Sequence, residues 1–210
     1  MRVDVITLHA VQNYGSVLQA LATQKLLEKH GCEVKIINYI REDVRYKNIL
    51  QARSNGNIIK KIVLYPNVKK WEKVFKGFCN EYLNLTDRSY TTENDFKDYP
   101  LDADMFCTGS DQVWNSKWNQ GIISPLYLSF VPEDKFRFSL AASFGQDKLS
   151  QDEVKATKKY IEKYNCISVR ESSGKKIIEQ QYKYSYAEHI IDPTLMLDDD
   201  EWRKFANNKK

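Results

Sequence analysis

The stretch DVITLHAVQNYGSVLQALATQKLLEKHGCEVKIINY, residues 4–39, holds three elements in succession. A run of β-formers, residues 3–8, stops at His9. A helix pattern follows over residues 16–30, with Leu18, Leu21, Ala22 and Leu26 on one stripe, and a second β-rich run occupies residues 33–39. Gly31 supplies the helix stop, and His30 stands where a cation suits the dipole, as a C-terminal cap. Strand, helix, strand in so short a length is the crossover unit of a parallel sheet.

Working outward, the same alternation continues. Further strands are expected at residues 103–108, 136–142, 166–169 and 189–192, which makes about six in one sheet. A helix begins at Ser150, where Ser150 and Glu153 form a capping box, Leu149 and Val154 a hydrophobic staple, and Val154, Thr157, Ile161 and Tyr164 a core-facing stripe. Residues 41–100 read as a variable helical insertion, with Val68, Trp71, Phe75 and Phe78 marking an amphipathic helix between loops. The expected architecture is α/β: a Rossmann-like open, mostly parallel sheet with helices on both faces, over residues 1–192. Residues 193–210 are expected to be a linker or the start of a further C-terminal domain.

Composition bounds the rest. Over 210 residues, 32 basic against 28 acidic side chains give a net charge of +4, which says little about partners. Residues 41–76, however, hold ten basic and three acidic side chains. Such a run is a solvated face or a contact with an anionic membrane surface. With no reader motif for nucleic acid, that partner is not expected. The four cysteines are scattered without metal-ligand spacing, so no metal site is implied, and a reducing cytoplasm fits. No cofactor fingerprint occurs: neither G-x-G-x-x-G nor a phosphate-binding G-x-x-x-x-G-K-[ST] is present.

In an open parallel sheet, ligands collect at the carboxyl ends of the strands. Four loops there carry candidate chemistry. After the first strand come His9, Asn13, Gly15 and Ser16; Gly15 permits close backbone approach, and Asn13 or Ser16 equally serves as a helix cap. After the third come Gly109, Ser110, Asp111 and Gln112; Asp111 either handles a hydroxyl proton or caps a short helix from Gln112. Ser143 and Gly145 follow the fourth strand, at a close approach or a tight turn. Arg170 emerges after the fifth, as an anion fork or a salt-bridge partner of Glu171 or another acid.

Taken together, NYGSVLQALATQKLLEKHGCEVKIINY, GSDQVWN, LAASFG, SVRESSG and IDPTLMLDDDEW resemble, in order and spacing, the polysaccharide pyruvyl transferase family. The resemblance runs along nearly the whole chain and is weakest over residues 41–99. It implies the N-terminal half of a glycosyltransferase-B-like fold and transfer of a pyruvyl group from phosphoenolpyruvate to sugar hydroxyls as a ketal. The acceptor would be a cell-surface polysaccharide or its lipid-linked saccharide precursor. By the same resemblance Arg170 holds the donor's carboxylate or phosphate, Asp111 orients or deprotonates the sugar hydroxyl, and Gly15, Ser16 and Ser143 line the cleft. The family's R-x-H setting has no counterpart here, so these residues are expected to need a C-terminal domain or second subunit for turnover. The alternatives are a nucleotide-sugar glycosyltransferase of the same fold, or a non-catalytic saccharide-binding half.

Overall fold

A computed structural model describes residues 1–206 of the chain. Seven strands form one sheet: β1 (Arg2–Ile6), β2 (Glu33–Tyr39), β3 (Leu85–Tyr90), β4 (Met105–Thr108), β5 (Phe136–Ala142), β6 (Cys166–Val169) and β7 (Glu188–His189), in the order β3-β2-β1-β4-β5-β6-β7. Every pairing is parallel. The order reverses between β1 and β4, so a crevice opens beyond the carboxyl ends of those two strands.

Each strand is buried where the layers demand it. Val3 and Val5 of β1 pack with Val34 and Ile36 on one face, against α1 (Tyr14–Lys29). The same face is covered by α3 (Ile58–Tyr82), which follows the short α2 (Tyr46–Ser54). Ile6, Ile37 and Phe106 point to the opposite face, where α4 (Glu93–Asp98), α5 (Gln151–Ile161) and the turns following α6 (Ser172–Lys176) contribute Phe96, Ile161 and Ile177. Helices therefore cover both faces, as expected.

Several expectations need correction. The insertion at 41–100 is not purely helical: it contributes the edge strand β3. Its sequence, LTDRSY, buries only Thr86 and Tyr90, so the apolar signal of a strand is missing. The last strand is shorter and earlier than expected, and the sheet has seven strands rather than six. α1 buries more than a single stripe, because Gln19, Thr23 and Gln24 are sealed as well. Gln24 links α1 to the start of β3, accepting from Asn84 N–H at 2.7 Å and donating to the Tyr82 carbonyl at 3.3 Å. Beyond Asp192 the chain folds back as a short 3₁₀ turn and α7 (Asp199–Arg203). Trp202 and Phe205 pack against the α1/α3 side of the core. Positions 207–210 of that expected segment lie outside the described residues.

Gly109, at the end of β4, is closely packed: a Cβ there would lie 3.1 Å from Thr7 Cβ and 3.3 Å from Val5 Cγ1 on β1. Gly109→Ala requires the Thr7 and Val5 side chains to give by a few tenths of an ångström and should cost roughly 1–3 kcal/mol, lowering the melting temperature by about 2–4 °C per kcal/mol. Thermal unfolding followed by circular dichroism measures this, and an unchanged midpoint would contradict the packing assignment.

Candidate functional site

The β1–α1 turn delivers Asn13, Gly15 and Ser16 to the crevice. Asn13 is the N-cap, its Oδ1 accepting from Ser16 N–H at 3.2 Å, and no acidic residue occupies the first turn. The leading amides thus face the crevice with the positive end of the dipole unneutralised by the helix's own side chains. Ser16 Oγ donates to Asp111 Oδ2 at 2.6 Å, joining the β1 and β4 exits across the switch point.

Asp111 does not cap a helix. It adopts φ 81°, a left-handed conformation rare outside glycine, and starts a series of turns in which its Oδ1 accepts from Gln112 N–H at 2.8 Å. Its carbonyl accepts from Ser143 N–H at 3.1 Å and Val113 N–H at 2.8 Å. The strained backbone is held from several sides, and its carboxylate faces the crevice.

The end of β5 is bulged. Its register with β6 shifts between Ser139 and Ala142, and Ala141 takes φ 54°. Ser168 holds the distortion, its Oγ donating to the Ser139 carbonyl at 2.6 Å and accepting from Ala141 N–H at 3.0 Å. Such bulges re-aim the residues that follow. Here Ser143 is fully buried, its Oγ donating to Glu171 Oε1 at 2.9 Å.

Glu171 is one of two acids on Arg170. Arg170 Nε donates to Glu171 Oε1 and Nη1 to Asp192 Oδ2, both at 2.9 Å. Asp192 also accepts from Ser110 Oγ at 3.1 Å, from Thr194 N–H at 2.9 Å and from Thr194 Oγ1 at 2.8 Å. Burial opposes its charge, but those hydrogen bonds prevail and hold the carboxyl below its ordinary value. Burial likewise opposes the Arg170 charge, and the two carboxylates outweigh it, so the pKa is raised. Of the five N–H donors of a guanidinium, three have no protein partner among the described residues.

Asn13, Gly15, Ser16, Asp111, Gln112 and Arg170 line one cavity of about 210 Å³. Four residues that the sequence did not single out join them: Gln19, Trp118, Asp192 and Thr194. Gln19 is buried, its Nε2 donating to Thr7 Oγ1 and the Ser16 carbonyl at 2.8 Å, while Oε1 has no partner among the described residues. Its position one turn after Ser16 was the available signal. For Asp192 the signal was Asp-Pro-Thr at a strand end, an N-cap followed by Pro at N1. Trp118 is 46% exposed, and the Arg41 guanidinium lies 5.3 Å from its ring centroid.

The other sequence candidates sit elsewhere. Gly109, Ser110 and Ser143 are buried and do not line that cavity. Gly145, at φ 57°, borders a neighbouring groove with Asn115, Trp118 and Lys148; a Cβ on it would sit 2.4 Å from Asn115 Nδ2. His9 lines a separate cavity of about 380 Å³ with Asn38, Phe75, Lys76 and Ser89. It is buried, with Nδ1 3.4 Å from the Thr7 carbonyl and Nε2 3.4 Å from Asn38 Oδ1.

Burial pushes the His9 pKa down from its ordinary 6.5. The folded state therefore resists a proton that the unfolded chain accepts, so the contribution is intact above pH 6.5 and is lost as pH falls toward the folded value. Stability should fall between pH 7 and 5, and His9→Gln should flatten that slope. Urea midpoints across this range test it, and equal slopes in both proteins would contradict the assignment.

Among the described residues, no group of three or more His, Cys, Asp or Glu side chains is arranged to hold a metal ion, and no helix is long and apolar enough to cross a membrane. No curated protein and no solved structure matches the chain. A family model described as polysaccharide pyruvyl transferase matches residues 13–210, which takes in every loop of the cavity. The chain therefore belongs to the polysaccharide pyruvyl transferase family, a membership that supports a pyruvyltransferase-type enzymatic function in general terms.

Proposed function

We propose that the protein transfers a pyruvyl group from phosphoenolpyruvate to a sugar hydroxyl of a cell-surface polysaccharide or its lipid-linked precursor, forming a ketal. The observation that carries this reading is the convergence of the α1 first turn, the Asp111 carboxylate and the Arg170 guanidinium on one cavity. In the reaction, a proton adds to the methylene carbon of the enol phosphate and positive charge develops at the adjacent carbon. A sugar oxygen attacks, inorganic phosphate departs, and a second hydroxyl closes the ketal.

Each group has a part. The unpartnered donors of Arg170 take the carboxylate or phosphate of the donor, helped by the α1 amides. Asp111, steadied by Ser16, accepts the hydroxyl proton as the sugar attacks. Trp118, backed by Arg41, offers an exposed ring face for the apolar side of a sugar. Asn13 and Gln112 supply hydrogen bonds to the ligand's remaining oxygens, and Gln19 holds the Ser16 turn from beneath.

The charge balance bears on affinity. Glu171 and Asp192 pair with Arg170, and Asp111 lines the same cavity, so a multiply charged donor gains little from residues 1–210 alone. Further cations, as in the R-x-H setting of the family resemblance, would come from a C-terminal domain or second subunit. The working place is the cytoplasm, peripheral to the inner membrane face where lipid-linked saccharides are exposed.

Thermal shift tests the donor. With a dissociation constant in the millimolar range, tenfold excess phosphoenolpyruvate stabilises by about 1.4 kcal/mol, or roughly 3–6 °C. Arg170→Lys should abolish that shift, because the planar fork is lost. Stabilisation by a uridine diphosphate sugar but not by phosphoenolpyruvate would overturn the reading in favour of a glycosyltransferase.

A further inference from the structure

α3 is longer than the sheet that it covers. At 25 residues it spans about 37 Å, whereas the seven residues of β2 span about 23 Å. Its buried residues are Val68, Phe75 and Cys79, so its first two turns have little core beneath them. In a parallel β2–α3–β3 crossover, the helix starts at the carboxyl ends of the strands. The overhang therefore projects from the same rim as the cavity.

That overhang is apolar and wet. Ile58, Ile59, Ile62 and Val63 are 72%, 74%, 69% and 71% exposed. They share one helical face, at i, i+1, i+4 and i+5. Isolated exposed apolar residues are ordinary, but four large β-branched side chains clustered on one helix end are not. Farther along the same face the residue type changes: Lys69 and Lys73 follow Ile62 by seven and eleven positions, and Lys70 follows Val63 by seven. Between 58 and 76 the helix carries six lysines and one glutamate. Pro66 lacks the N–H that would bond the Ile62 carbonyl, which partly uncouples the apolar turns from the rest of α3.

We propose that this end of α3 docks the protein on an anionic bilayer surface, Ile58, Ile59, Ile62 and Val63 entering the acyl boundary while the lysine row lies on the headgroups. An apolar tip continued by cations on one face is the chemistry of an interfacial helix. A second copy of the chain fits poorly, because the lysines around the patch would repel their counterparts. Docking in this orientation turns the cavity rim toward the membrane. The inference stands without the catalytic assignment, since vesicle binding needs no turnover.

Co-sedimentation of the whole chain with vesicles tests it. Binding is expected to phosphatidylcholine containing a minority of phosphatidylglycerol, with little to phosphatidylcholine alone, and loss of binding in salt well above roughly 0.15 M. Lys70→Glu/Lys73→Glu should weaken binding more than tenfold, since each lysine at the surface is worth roughly fivefold. Ile62→Gln/Val63→Gln should weaken it comparably, and unchanged circular dichroism would show both variants folded. Equal binding to neutral vesicles, no binding to anionic ones, or full binding by the glutamine variant would each overturn the proposal. So would a dimer that the glutamine variant dissolves in a chain without vesicle affinity, which would make the face a joint between copies.

Discussion

One carboxylate ties the rim of this sheet together. Asp192, just past β7, accepts from Ser110 at the β4 exit, from Arg170 at the β6 exit and from Thr194 in its own turn. Parallel strands leave their exits side by side but do not fix the loops that follow. A half-buried anion with several donors does, because each donor that it orients would otherwise be left unsatisfied or mobile. The guanidinium is thereby set at the cavity wall with part of its fork uncommitted, and Ser110 is pinned next to the residue whose carboxylate faces the cavity.

The bulge in β5 and the left-handed backbone of Asp111 belong to the same construction. Both place residues where a regular strand end would not, and both are braced by neighbours: Ser168 under Ala141, and Ser143 and Val113 on the Asp111 carbonyl. Braced strain of this kind at strand exits is the pattern expected where geometry serves a ligand rather than stability, although the β2–β3 pairing carries a register shift of its own between Ile36 and Asn38.

Much of the architecture was legible in the chain. The bounds of β2 and β6 follow from β-branched runs and those of β5 from an aromatic and aliphatic run, each closed by turn residues; of the expected capping box at α5, Glu153 N–H donates to Ser150 Oγ at 3.2 Å, while Glu153 Oε1 has no partner among the described residues. β3 was hidden because an edge strand needs only one good face, and LTDRSY buries two residues. The cavity was legible as a set of strand exits, but not in its details. Asp192 and Gln19 look like ordinary polar residues until the fold sets one between two exits and buries the other under Ser16. His9 was misplaced for a related reason: it lies beyond the end of β1, where alternation no longer fixes direction, and the chain turns it toward β2 and β3. Arg170 shows the limit most clearly: the salt-bridge reading holds, with Glu171 as a partner, and the same side chain also lines the cavity.

On the proposed function, one rim, built from the exits of β1, β4, β6 and β7, receives the anionic donor. Backbone amide and arginine Nε–H nuclear magnetic resonance shifts on titration with phosphoenolpyruvate test it most directly. The account predicts that Gly15, Ser16, Asp111, Gln112 and Arg170 Nε move together along one binding curve, while Arg2, Glu33 and Asp104 at the opposite rim stay still. Shifts centred on His9, Asn38 and Ser89, or scattered over surface lysines without saturation, would contradict it.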